Sequence, residues 1–134
     1  PDLSRLAGLA ASVTAQGVEV RLDDRLAAAQ VPKPVQLALY RIAQESLTNV
    51  TRHAAGATQV TISLELRDGL YRLEVRDDGT SSPPVLENES GGRGVLGMRE
   101  RAELLGGHLS AGPADRGGFA VVAELPATLH QEAM

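Results

Sequence analysis

The 134-residue chain predicts an α+β domain built as a two-layer sandwich, with a mixed, mostly antiparallel sheet and helices on one face. Apolar residues recur at three- and four-residue steps in some stretches and alternate with polar residues in others. The later strands are separated by turns too short to hold a crossover helix, so they must pair antiparallel. The length suits a single domain, 1–134, with a core of about 15–126.

The elements follow in order. Leu3, Leu6, Leu9, Ala10 and Val13 predict an amphipathic helix over about 3–16 that stops near Gly17. Val18, Val20 and Leu22 alternate with Glu19 and Arg21, the signature of an edge or half-buried strand. Val31-Pro32-Lys33-Pro34 interrupts the chain, and Pro34 suits the first position of a long helix that reaches about Ala54. Thr58, Val60, Ile62, Leu64 and Leu66, then Tyr71, Leu73 and Val75, form two alternating runs joined by the hairpin pair Asp68-Gly69. From Asp77 to Gly94 the chain is polar and rich in Ser, Pro and Gly, too long for a tight turn and of the kind that carries function. A helix over Val95–Leu105 closes at Gly106-Gly107, and Leu109, then Phe119, Val121, Val122 and Leu125, mark two last strands. There is no internal repeat.

Composition removes several function classes. Without cysteine there is no disulfide, thiolate nucleophile or thiolate zinc site. Lys33 is the single lysine and lies between prolines, which excludes a P-loop or a Schiff-base site. A net charge of -4 and three aromatic residues give neither the basic surface nor the stacking platforms of a nucleic-acid binder. No apolar run approaches the roughly 20 residues a bilayer core demands, and no signal-like segment opens the sequence, so a soluble domain without membrane contact is expected.

Three places carry candidate chemistry. On the long helix Val35, Leu39, Ile42, Ala43 and Val50 share one arc, Arg41, Thr48 and Arg52 lie opposite, and Glu45 and Asn49 occupy the border. An acid and an amide at i,i+4 there suit a hard cation or a polarised water, with His53 one turn on. Taken singly, Glu45 reads more readily as a surface partner of Arg41 or Arg52, Asn49 as a tolerated polar residue, and His53 as a helix-end histidine. Asp77-Asp78-Gly79 ends a strand with a carboxylate suited to an exocyclic amine, or makes an ordinary turn. Gly92-Arg93-Gly94-Val95-Leu96-Gly97 matches a dinucleotide-binding fingerprint but lies late in the chain after a polar loop, outside the βαβ context that fingerprint needs. Glycines ahead of a helix still bare N–H groups to phosphate, or act as a hinge, and Arg93 and Arg99 face phosphate or solvent.

Taken in order, Glu45-x3-Asn49-x3-His53, Asp77-x-Gly79 and Gly92-x-Gly94-x2-Gly97-Met98 resemble the ATPase domain of sensor histidine kinases, with its Bergerat (GHKL) fold. Leu39 to Asn49 and Gly97-Met98-Arg99-Glu100-Arg101 look like the subfamily serving response regulators with helix-turn-helix outputs. The resemblance covers about 15–126. It implies Mg²⁺ and ATP as cofactors: Asn49 would hold the metal, Glu45 would act as the catalytic group that orients the attacking atom, and Arg52 and His53 would lie near the phosphates. Asp77 would accept the adenine amino group, Gly79 would make room for the ring, and Gly92, Gly94, Gly97 and Met98 would belong to the phosphate-capping segment.

This chain departs from the family at Ser81, where many relatives carry glycine, and at Gly117-Gly118-Phe119, where a hydroxyl that would support Asp77 is missing. Phe119 is therefore left outside the expected site. None of His53, His108 and His130 is followed by an acid, as a phosphoacceptor would be. The resemblance thus implies a catalytic module that needs separate phosphoacceptor and dimerisation helices, with the first helix at the junction. The response regulator would be reached through the full kinase, which is expected in the cytoplasm with or without a membrane anchor. An anti-sigma-factor serine kinase of the same fold, or a degenerate interaction module that binds no nucleotide, are the alternatives.

Overall fold

A computed structural model describes residues 3–26, 30–53, 56, 58–79, 90–114 and 117–127. A short 3₁₀ turn (Leu3–Arg5) leads into α1 (Leu6–Thr14), followed by β1 (Glu19–Asp24), α2 (Lys33–His53), β2 (Gln59–Arg67), β3 (Leu70–Asp77), α3 (Ser90–Leu104), β4 (His108–Pro113) and β5 (Phe119–Pro126). The strands form one sheet in the order β1-β2-β3-β5-β4. β1 runs parallel to β2, with Val20 beside Val60, and the other pairs are antiparallel. The sheet is mixed and mostly antiparallel, as the sequence predicts.

Strand alternation decides which face carries the second layer. Val60, Ile62 and Leu64 on β2, Tyr71, Leu73 and Val75 on β3, Leu109 on β4, and Val121, Ala123 and Leu125 on β5 are buried. They meet Leu39, Ile42, Ala43, Leu47 and Val50 of α2 and Met98 and Ala102 of α3 in one core. Leu3, Leu6 and Val13 join the same core, so α1 is packed into the domain. A fully buried leucine contributes about 1.5–3 kcal/mol, which makes this inward face the main source of stability. The opposite face is polar. There Arg72 reaches Glu74 (3.1 Å) and Glu124 (3.6 Å), and Glu124 pairs with His108 (2.9 Å).

The turns show local chemistry at work. Asp68 (φ 53°) and Gly69 (φ 79°) both take positive φ, the requirement of the type I′ hairpin expected from Asp-Gly. At the end of α3 the Gly107 N–H donates to the Ala102 carbonyl (2.9 Å) and the Gly106 N–H to that of Glu103 (3.0 Å), a Schellman cap. Pro34 sits second rather than first in α2, where its missing N–H is equally harmless, and the Gln36 N–H donates to the Pro32 carbonyl (2.9 Å). The larger difference lies in α3, which begins at Ser90 instead of Val95. Glycine costs a helix only about 1 kcal/mol, and tertiary packing of Met98 and Ala102 against α2 outweighs it.

Candidate functional site between the layers

The period of two that buries Tyr71, Leu73 and Val75 also turns Asp77, the last residue of β3, toward the interlayer space. Asp77 is 5% exposed, and one of its carboxylate oxygens, Oδ1, accepts the Gly79 N–H (2.8 Å). The Phe119 main chain also lies near this carboxylate and favours its ionised form. Burial raises the Asp77 pKa above 3.8, the Gly79 and Phe119 main-chain N–H groups oppose that rise, and Asp78 pushes upward by repulsion. Gly79 is buried beside it.

Asp78 has a different task. It is exposed and accepts the Thr58 N–H (2.8 Å), the Thr58 hydroxyl (2.7 Å) and the Gln59 N–H (3.0 Å). These bonds lower its pKa to about 2 and tie the end of β3 to the start of β2. Of two adjacent aspartates, one faces inward and the other clamps the sheet.

On α2, Glu45 and Asn49 are half-buried, and among the described residues neither makes a hydrogen bond or an ion pair. Arg41 instead bonds Gln44 (3.1 Å), so it does not neutralise Glu45. Both polar groups point toward Gly94 of α3: a Cβ there would lie 2.6 Å from Glu45 Oε2 and 3.4 Å from Asn49 Oδ1. The i,i+4 spacing thus converges two oxygens on one spot beside Gly94, where an added side chain would displace the Glu45 carboxylate. Arg52 is exposed. His53 ends α2, and its side chain lies outside the described residues, as do the Arg93 side chain and residues 80–89 with Ser81.

The expectation that Gly92 and Gly94 precede the helix is corrected, because both lie within α3. Gly92 is still among the first four residues, whose N–H groups have no intrahelical acceptor, whereas Gly94 is fifth and has the Ser90 carbonyl available. A Cβ on Gly97 would meet open space. Met98 is 1% exposed and receives the Ser46 hydroxyl at 3.4 Å, which makes it a packing link between α2 and α3. The Arg99 Nε donates to the Leu109 carbonyl (3.5 Å), toward β4.

Gly118 and Phe119 were not expected at the site. In place of the hydroxyl expected to support Asp77, the Gly118 main chain comes close to it. The available signal was the Gly-Gly pair opening a strand, a mark of close backbone approach.

Residues 35–129 match the family of histidine kinase-, DNA gyrase B-, and HSP90-like ATPases. Over 95 residues the chain is 35% identical to the signal transduction histidine-protein kinase/phosphatase UhpB of Salmonella typhimurium, covering 71% of this chain and 18% of that protein. Sensor histidine kinase YxjM of Bacillus subtilis is 33% identical over 126 residues, 92% of this chain and 30% of its own length. The chain therefore spans less than a third of these two relatives. In fold it resembles the histidine kinase domain of the Erythrobacter litoralis EL346 blue-light activated histidine kinase, with a TM-score of 0.76 at 22% identity over 98% of this chain and 64% of that one. With an inward carboxylate at the end of β3, converging oxygens on α2 and a matched segment of this extent, the chain belongs to the histidine kinase-, DNA gyrase B-, and HSP90-like ATPase family.

Proposed function

We propose that this chain is the Mg-ATP-binding catalytic module of a sensor histidine kinase, supplying the γ-phosphoryl group for histidine autophosphorylation in two-component signalling. The observation that carries the reading is Asp77, a buried carboxylate on the inward face of the sheet that accepts the Gly79 main-chain N–H. A fixed acceptor in that setting selects a base with an amino donor, as adenine has, over one that presents a carbonyl there. The motif Gly97-Met98-Arg99-Glu100-Arg101 and the histidine kinases among its relatives favour this reading over a serine kinase of the same fold.

The residues fit Mg²⁺ as a partner of nucleotide rather than as a resident ion. Among the described residues no three His, Cys, Asp or Glu side chains cluster for a metal, while Glu45 and Asn49 offer two converging hard oxygens. Mg²⁺ is usually held by one or two protein oxygens with water and phosphate completing the shell. In this reading Asn49 would hold the ion, which would supply neutralisation of phosphate charge. Glu45 would orient the attacking imidazole, Arg52 and His53 would lie near the phosphates, and Gly92 would offer an N–H without an intrahelical acceptor at the positive end of α3. Catalysis is mainly positioning and electrostatics, and the accepting histidine comes from separate phosphoacceptor and dimerisation helices. The partner downstream is a response regulator with a helix-turn-helix output, and the module works in the cytoplasm. Among the described residues no helix is long and apolar enough to cross a membrane.

Titration calorimetry of Mg-ATP, with GTP as control, on the chain and on Asp77→Asn tests the proposal. Expected are magnesium-dependent ATP binding and loss of the preference for ATP in a folded variant. Undetectable binding to the folded chain favours the nucleotide-independent interaction module.

A further inference from the structure

β1 forms one edge of the sheet. The Glu19 N–H donates to the Thr58 carbonyl (3.0 Å) and the Arg25 N–H to that of Leu64 (2.9 Å), so the odd-numbered residues of β1 bond β2. The N–H and C=O groups of Val20, Leu22 and Asp24 therefore point away from the sheet. The Thr14 hydroxyl caps the Val20 N–H (3.0 Å), and among the described residues no side chain caps that of Leu22. Glu19, Arg21 and Asp23 lie on the face opposite the helices, and Arg25 follows at the same spacing. All four are exposed, and they run acid, base, acid, base. On the helix side Leu22 is half-buried, and α1, which packs on β1, exposes the small residues Ala7, Gly8, Ala11 and Ser12.

We propose that the β1 edge is a self-association surface, where a second copy of this chain pairs antiparallel about Leu22 and joins two sheets into one. A two-fold axis at Leu22 sets Arg21 opposite Asp23 of the second copy and Glu19 opposite its Arg25, each contact occurring twice by symmetry. Opposite charges facing each other across a rung stabilise pairing, and like charges there oppose it. Charge therefore selects the register. Sliding one strand by two residues in one direction sets Arg21 against Arg21 and Glu19 against Asp23, and in the other direction Asp23 against Asp23 and Arg21 against Arg25. At the axis the two Leu22 residues exchange N–H to carbonyl bonds and bring their side chains together on the helix side. The Asp24 N–H then faces the Val20 carbonyl of the second copy, while the Thr14 cap keeps the Val20 N–H out of the pairing and so keeps it short. The axis is normal to the sheet, which puts both helix layers on the same side, and the small exposed residues of α1 leave room for their counterparts. Charges on an edge commonly guard it against pairing. Here their alternation is self-complementary, whereas β4, the opposite edge, ends in Pro113 and has no such alternation.

The test is sedimentation equilibrium and amide NMR of the nucleotide-free chain over a dilution series reaching about 1 mM, with Arg21→Glu, Asp23→Arg and the double variant carrying both changes. An interface this small predicts a dimer with a Kd on the order of 0.1–1 mM that weakens with added salt. The Leu22 and Asp24 amides are expected to shift with concentration and those of β4 to stay fixed. Each single reversal sets like charges opposite at two symmetric places and should weaken association ~10-fold or more. The double variant exchanges the charges and recovers self-association, yet leaves the Leu22 amide of the labelled unaltered chain unmoved when mixed with it. The altered side chains are exposed, and far-UV circular dichroism checks that each variant is folded. A chain that stays monomeric at about 1 mM overturns the inference without any variant, as does association that shifts β4 or α3 in place of β1. Single reversals that associate like the unaltered chain, or a folded double variant that does not recover, also overturn it. ATP enters none of these readouts, so either result leaves the proposed function to its own test.

Discussion

Asp78→Asn separates the structural aspartate from its neighbour and reads out in stability alone. Asp78 accepts three hydrogen bonds from Thr58 and Gln59, and its pKa falls from 3.8 to about 2. Fully expressed, that shift would be worth about 2.5 kcal/mol in favour of the fold. Asp78 is exposed, so solvent competes for its oxygens, and a discounted figure of about 1 kcal/mol is expected at pH 7. For a domain of this size that is a fall in Tm of roughly 3 °C. Its folded pKa is depressed, so the contribution is complete above 3.8 and is lost as pH falls through about 2. Asparagine keeps the shape but has no charge to titrate. Urea unfolding followed by far-UV circular dichroism at pH 7, 4 and 2.5 should show the gap between the two proteins closing toward the acid end, with ATP affinity at pH 7 unchanged. A gap that persists undiminished at pH 2.5, or none at pH 7, refutes the assignment of Asp78 as an ionised clamp.

Asp77 carries the opposite sign. Its folded pKa is raised by burial, so its favourable contribution is present below 3.8 and is lost as pH rises through the folded value. Asp77→Asn should therefore melt at least as high as the unaltered chain at pH 7, checked by calorimetric scanning, even as it loses ATP preference. Asn49→Asp places a second carboxylate one turn from Glu45. It is expected to change the Mg²⁺ concentration for half-maximal ATP binding ~10-fold or more with the far-UV spectrum unchanged, as measured by calorimetry at graded Mg²⁺. Leu73→Ala, at a fully buried position between Leu64 and Ala123, should cost about 2–5 kcal/mol in urea unfolding.

Much of this protein is written in short-range patterns, because strand alternation, helical periodicity and turn preferences arise from the sterics of neighbouring residues. The element order, the amphipathic faces of α2 and the strands, the Asp68-Gly69 hairpin and the Gly106-Gly107 cap were all legible in that way, and so were Asp77 at a strand end and Glu45 and Asn49 one turn apart. The start of α3 was not, since glycine preference argued for a loop and packing of Met98 and Ala102 decided otherwise. Only tertiary structure brought Gly94 onto Glu45, Thr58 onto Asp78, and Gly118 and Phe119 onto Asp77, 41 and 42 residues along the chain. Those contacts depend on sheet order, with β5 inserted between β3 and β4, and on the register of its pairing with β3. No local preference encodes a rung between two strands so far apart, so the close approach of Gly118 to the central aspartate became visible only when the sheet was assembled.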